Sequence, residues 1–184
     1  MNRRAFFALA SAIAISACTP LASSNPIARE LRQTLQFSSV TVNTQGTAFD
    51  SNRAANYSSA LSGDLRTVLE TEFVDRMDPS GVQMIVDVAR LNVAGSTTTA
   101  FGRDQSTLSG SVRVVDGDAL LGTYAIQVAV GDPSQTTTGA LVSSAINSGE
   151  GYYRALINGF ARDARVQVLG ADLPGERLLR QLQN

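Results

Sequence analysis

One sulfur and a scattering of carboxylates are the only groups in this chain whose types and spacing suggest chemistry. Cys18 is the sole cysteine and there is no histidine anywhere in the 184 residues. The usual general base and the commonest metal ligand are therefore missing. Lysine does not occur either, so serine–lysine catalysis is excluded along with every histidine-based triad. No glycine-x-serine-x-glycine elbow is present. Gly149-Glu150-Gly151 lacks the third glycine of a phosphate loop and is expected to form a turn before a helix. Two carboxylate pairs stand out. Asp116 and Asp118 flank Gly117, where aspartate is expected for turn geometry rather than for calcium. Glu70 and Glu72, two apart on a helix, cannot share a face and are expected to be solvated. Neither pair makes a convergent acid–base site, and the chain is expected not to be an enzyme, with no cofactor and no metal.

Cys18 is different because of what precedes it. Met1-Asn2-Arg3-Arg4 is a basic head, residues 5–15 are an apolar run, and Ser16-Ala17 are small residues before a cut. That order describes a secretory signal peptide over residues 1–17. The apolar run is about half the length of a membrane-spanning helix, and Pro20 and Pro26 interrupt the polar segment beyond Cys18. Asn2-Arg3-Arg4-Ala5-Phe6-Phe7 also resembles a weak twin-arginine export signal, which would carry a folded protein, but two arginines are equally an ordinary basic head, and unfolded export is the favoured reading. Ile15-Ser16-Ala17-Cys18 resembles the lipobox of bacterial lipoproteins. The resemblance implies lipid attachment at Cys18, which becomes the mature N-terminus. Thr19, rather than aspartate, comes directly after the cysteine. In that family this implies the outer membrane, with the domain facing the periplasm. Several acyl chains hold a protein to a bilayer stably where one does so only marginally.

The charge balance is mildly acidic. Loss of Arg3 and Arg4 with the leader leaves 13 of the 15 basic side chains against 16 acidic ones. Nucleic-acid binding depends on clustered bases neutralising phosphates, and no such cluster is present. With one cysteine, no internal disulfide can form, so apolar burial must hold the fold.

The elements are set by hydrophobic period. Residues 18–34, rich in serine with two prolines, are expected to be a lipidated flexible tether, with a helical turn starting near Arg29. Leu35 to Asn43 forms a strand. Leu35 and Phe37 have opposite parity to Val40 and Val42, so Ser38-Ser39 marks a bulge or a late start. A helix capped by Ser51 or Asn52 carries apolar residues at three- and four-residue steps to Met77. Gly63 within it marks a close crossing or a weak point. Val82 to Val93 is apolar on both parities and is expected to be central or covered twice. Residues 95–102, full of threonine, are expected to be a loop or a frayed strand end. Leu108–Val114 and Tyr124–Val130 make a hairpin around Asp116-Gly117 or Gly117-Asp118. Residues 140–146 form a short helix or a flap. A last helix runs from about Gly151 to Val168, with Gly170 as its stop. Residues 171–184 are expected to be an amphipathic tail.

The order β-α-β-β-β-α over residues 35–170 implies a single α+β domain, a two-layer sandwich with a mixed sheet and two helices packed on one face. One cluster is singled out. Tyr152-Tyr153-Arg154 places adjacent aromatics on one helix, which are not expected both to point into the same core, so one of them is expected to reach solvent. Tyrosine and arginine are enriched at binding hot spots, which makes the three candidates for contact with a partner, although the rim of an ordinary core explains them better.

With the lipobox, that element order and the Leu61-Ser62-Gly63-Asp64-Leu65-Arg66 helix in view, the chain resembles a loose superfamily of outer-membrane accessory lipoproteins. Among its members are the auxiliary lipoproteins of lipid-transporting ABC systems and curli-secretion-type lipoproteins. The resemblance implies a non-catalytic accessory or assembly role in an envelope transport or secretion system. The partners would then be the membrane, through the lipid, and another envelope protein or further copies of the chain. The alternative is a carrier that holds an apolar ligand such as a lipid between helices and sheet.

Overall fold

The computed structural model describes residues 25–94, 105–130 and 149–170. Cys18, the expected leader, the loop expected over residues 95–102, residues 140–146 and the tail expected at 171–184 lie outside the described residues. The described elements are α1 (Arg29–Thr34), β1 (Phe37–Asn43), β2 (Ala48–Phe49), α2 (Asn52–Ala55), α3 (Leu61–Glu72), β3 (Val82–Asn92), β4 (Ser106–Asp116), β5 (Ala119–Val130) and α4 (Gly149–Leu169).

They form a mixed α+β sandwich. The sheet runs β1-β3-β4-β5, with the two-residue β2 beside β3. β1 and β2 are parallel to β3, and the β3–β4 and β4–β5 pairs are antiparallel. α3 packs over β1 and α4 over β4 and β5, and the two helices touch each other. β2 falls inside a stretch expected to be loop. Asp50 N donates to Leu91 O at 3.0 Å, fastening that stretch along β3.

The core lies between sheet and helices. Phe37, Leu61, Leu65, Leu69, Phe73 and Phe160 are fully buried there. Phe37 meets Phe73 edge-on, with ring centroids 5.2 Å apart, an arrangement that adds about 1 kcal/mol beyond area burial. The other sheet face is largely polar, carrying Thr41, Asn43, Gln83, Asp87 and Arg113 beside Ile85 and Val115.

Three local expectations change. The helix expected from Ser51 to Met77 is broken. Ser51 does cap α2, accepting from Ala54 N at 3.1 Å. Residues 56–60 then tighten into turns, in which Tyr57 N, Ser58 N and Ala60 N each reach back three residues. Asn56, Ser58 and Ser59 are weak helix formers, and a 3₁₀ turn at Val74–Arg76 ends the run with Met77 extended. β3 is central in the sheet, as one of the two expected alternatives has it, but it is not covered on both faces, because its register shifts between Val88 and Arg90. The shift turns Leu91 and Val93 to the face of Met84, Val86 and Val88, all buried, while Ala89 is exposed. Gly63 has no atom within 4 Å of where a Cβ would stand, so it marks no close crossing.

Three further local expectations match. β1 has its register shift between Phe37 and Ser39. The β4–β5 turn has Asp116 opposite Ala119, with Gly117 at φ +57°. Gly170, at φ +96°, stops α4. At the other end Gly149-Glu150-Gly151 is the first turn of α4 rather than a turn before it.

Candidate functional site

The first surprise is where the domain begins. The tether expected over residues 18–34 is bound to the domain from Asn25 onward. The Asn25 side chain donates to the Gln167 carbonyl, and its oxygen accepts from Ile27 N at 3.0 Å and Tyr124 Oη at 2.8 Å. Ile27 and Leu35 are buried at 2% and 3% exposure. Two turns further on, Arg32 Nη1 donates to Leu169 O at 3.5 Å, and Arg76 Nη1 donates to Gln33 O at 2.6 Å. The last carbonyls of a helix have no partner within it. Asn25 and Arg32 supply donors to those of α4, and this is why a serine- and proline-rich stretch becomes part of the fold. Burial holds the Tyr124 hydroxyl above the ordinary tyrosine range, against the opposing effects of Arg32 and the Asn25 hydrogen bond. The composition of this stretch hid these contacts. The local signs were an Asn-Pro turn signal at Asn25-Pro26 and the isolated apolar Ile27.

Tyr152, Tyr153 and Arg154 do not form one exposed cluster. Tyr152 and Tyr153 are both buried, at 8% and 3% exposure, so the expectation that one of them reaches solvent fails. α4 is covered twice, by the sheet and by α3, and its buried arc is wide enough for adjacent residues. Tyr153 stacks on Tyr57 and donates to Asp64 Oδ2 at 2.8 Å. Burial raises its pKa first, and the bond and charge of Asp64 raise it further. Arg154 is exposed and pairs with Glu150 at 2.7 Å one turn back, an interaction that contributes little at a surface.

Two further polar clusters are geometric. Arg165, 5% exposed, grips Asp75 with both terminal nitrogens at 2.9 and 2.8 Å, donates to Glu72 O at 2.8 Å, and lies over the Phe73 ring. It joins α4 to the end of α3. On the polar sheet face, Arg113 donates to Asp87 Oδ2 at 3.0 and 2.8 Å, and Asn43 donates to Asp87 Oδ1. Each carboxylate in these clusters is engaged by a cation, so each cluster is built to hold strands or helices in register. Among the described residues no three of His, Cys, Asp and Glu gather as a metal site would require, and no helix is long and apolar enough to cross a membrane.

No family model, curated protein or solved structure matches this chain. The candidate site therefore rests on the residues themselves: Cys18 by its sequence context, and the bound segment that begins at Asn25.

Proposed function

We propose that this chain is a periplasm-facing lipoprotein of the outer membrane, attached through Cys18, acting as a non-catalytic accessory or assembly component of an envelope transport or secretion system through protein–protein contacts. The observation that carries the reading is Ile15-Ser16-Ala17-Cys18 placed directly after a basic head and a short apolar run. Thr19 in the next position supports the outer membrane as its destination. The lack of any histidine or lysine supports a role in binding rather than turnover. The carrier alternative needs room for an apolar ligand between the layers. Phe37, Phe73, Phe160, Leu61, Leu65 and Leu69 occupy that space with no measurable exposure, which favours the assembly reading.

Mass spectrometry of the mature N-terminus tests the anchor: an acylated Cys18 with residues 1–17 removed is the expected product. A free thiol there, or a retained leader, overturns the reading. Affinity purification from envelope membranes, with Cys18→Ala as the comparison, tests the role. Loss of both membrane fractionation and co-purifying envelope proteins in Cys18→Ala is expected; unchanged partners and location refute it.

A further inference from the structure

Lipidation at Cys18, the reading on which this inference rests, also fixes which end of the domain meets the membrane. Only seven residue steps separate Cys18 from Asn25, and a fully extended chain covers at most about 3.6 Å per residue, or about 25 Å here. Asn25 is not loose. It is held to Gln167 and to Tyr124. The chain therefore leaves the domain at the end where α4 stops.

That end is defined by several elements. α3 and α4 run side by side in the same direction: Asp64 meets Tyr153 early in both, and Glu72 and Asp75 meet Arg165 late in both. The β4–β5 turn and the start of β3 also lie there, since β1, β3 and β5 run away from it. α1 crosses beneath, bonded to Leu169 on one side and, through Gln33, to Arg76 on the other. At the opposite end Gly149 sits beside Arg53 and Val93.

Among the described residues, four large apolar side chains stand exposed: Leu31 at 45%, Val74 at 50%, Leu120 at 60% and Val166 at 41%. All four belong to the end where the chain leaves. Leu31 precedes Arg32, Val74 lies between Glu72 and Asp75, Leu120 is the second residue of β5, and Val166 is in the last turn of α4. Among the described residues, the opposite end carries polar side chains instead, Asn43, Gln45, Asn92 and Gln105 among them. Scattered exposed apolar residues are ordinary in a soluble domain. Their collection at one end, on a leash this short, is not.

We infer that this end rests on the lipid surface, with Leu31, Val74, Leu120 and Val166 at the headgroup–acyl boundary, and that the end beside Gly149, Val93 and Gln45 is presented to the periplasm. The occupant is the bilayer itself. Charges at the lower end are of both signs, with Arg29, Glu30, Arg76, Asp78, Asp116 and Asp118 represented, so the contact is apolar and independent of anionic lipid.

Acylation consumes the thiol of Cys18, so a single introduced cysteine is the only labelling site in the mature lipoprotein. Leu31→Cys, Val74→Cys and, as the distal probe, Gln45→Cys are each labelled with a small fluorophore. The labelled full-length lipoprotein is reconstituted into neutral phosphatidylcholine vesicles containing headgroup-nitroxide lipid. Quenching severalfold stronger at positions 31 and 74 than at 45, unchanged by salt, is expected. Equal quenching, or stronger quenching at 45, overturns the orientation, as does a difference seen in native envelope but absent in pure lipid. The intact mass of the same samples separates the two readings. An unacylated Cys18 overturns the anchor and the orientation together, whereas acylated protein with uniform quenching overturns the orientation alone.

Discussion

Tyr153 lies flat against Tyr57, with ring centroids 3.9 Å apart and planes 8° from parallel. The stack ties the first turn of α4 to the loop ahead of α3, and the hydroxyl of Tyr153 is spent on Asp64. A phenol held this way resists ionisation, which ties the stack to alkaline stability.

Below pH 10, the ordinary tyrosine value, folded and unfolded chains both keep the Tyr153 proton, and its contribution to stability is complete. Above that the unfolded chain releases the proton first, so stability falls as pH rises from about 10 toward the raised folded value. Tyr124 adds to the same decline. Tyr153→Phe is expected to lower stability at neutral pH by about 1 kcal/mol and to flatten the alkaline decline. Urea titrations between pH 8 and pH 11 check it; an equally steep decline in the variant refutes it.

Asn25→Ala removes the acceptor of Tyr124 Oη and Ile27 N and the donor to Gln167 O. The expected loss is about 3 kcal/mol, near 1 for each of the three bonds, together with faster amide exchange at Ile27. Asn25→Asp keeps both acceptor bonds but sets a negative charge against the C-terminus of α4, where helix dipoles favour cations. It should fold less stably than wild type despite its matching shape. Native-state exchange and urea unfolding measure both.

Asp75→Ala leaves Arg165 buried without its carboxylate. Removing one partner of a buried pair costs about 3–5 kcal/mol, and the remaining bond to Glu72 O places this case near the lower figure. Asp75→Ala combined with Arg165→Met removes the charge as well and should recover part of that loss. Equal stability of the single and double variants would show that the ion pair is not what the cluster depends on.

Gly63 and Gly159 are both helical and should respond in opposite senses to alanine. Gly63 faces open space, so Gly63→Ala gains about 0.5–1 kcal/mol from backbone entropy. A Cβ at Gly159 would stand 2.8 Å from Val128 Cγ1, and Gly159→Ala is expected to cost about 1–2 kcal/mol as α4 lifts from β5. Val128→Ala should relieve that cost in a double-mutant cycle.

Much of the sheet was legible because period-2 patterns and turn chemistry are local. Asp116-Gly117-Asp118 announced the β4–β5 turn, and the parity change between Phe37 and Val40 announced the β1 bulge. The bulge at Val88–Arg90 was not announced. An apolar strand whose parity slips and one apolar on both faces give the same string of residues. Only pairing with Ser109 and Gly110 of β4 distinguishes them. The break at residues 56–60 was overridden by an apolar stripe that continued through it, since periodicity records which residues are buried and not whether the backbone between them is helical.

The sequence by itself determined the order of the four long strands and the last helix, the β4–β5 turn, the stop of α4 at Gly170 and the chemical poverty of the chain, because each depends on residue type and near-neighbour spacing. It also supplied the lipobox resemblance at Cys18, a motif of consecutive residues. Tertiary structure alone decided that Asn25 closes the end of α4, that Tyr152 and Tyr153 are both buried, and that the four large apolar residues exposed among those described share one end. Those outcomes join residues as far apart as Asn25 and Gln167, and no local pattern records a contact made across the fold.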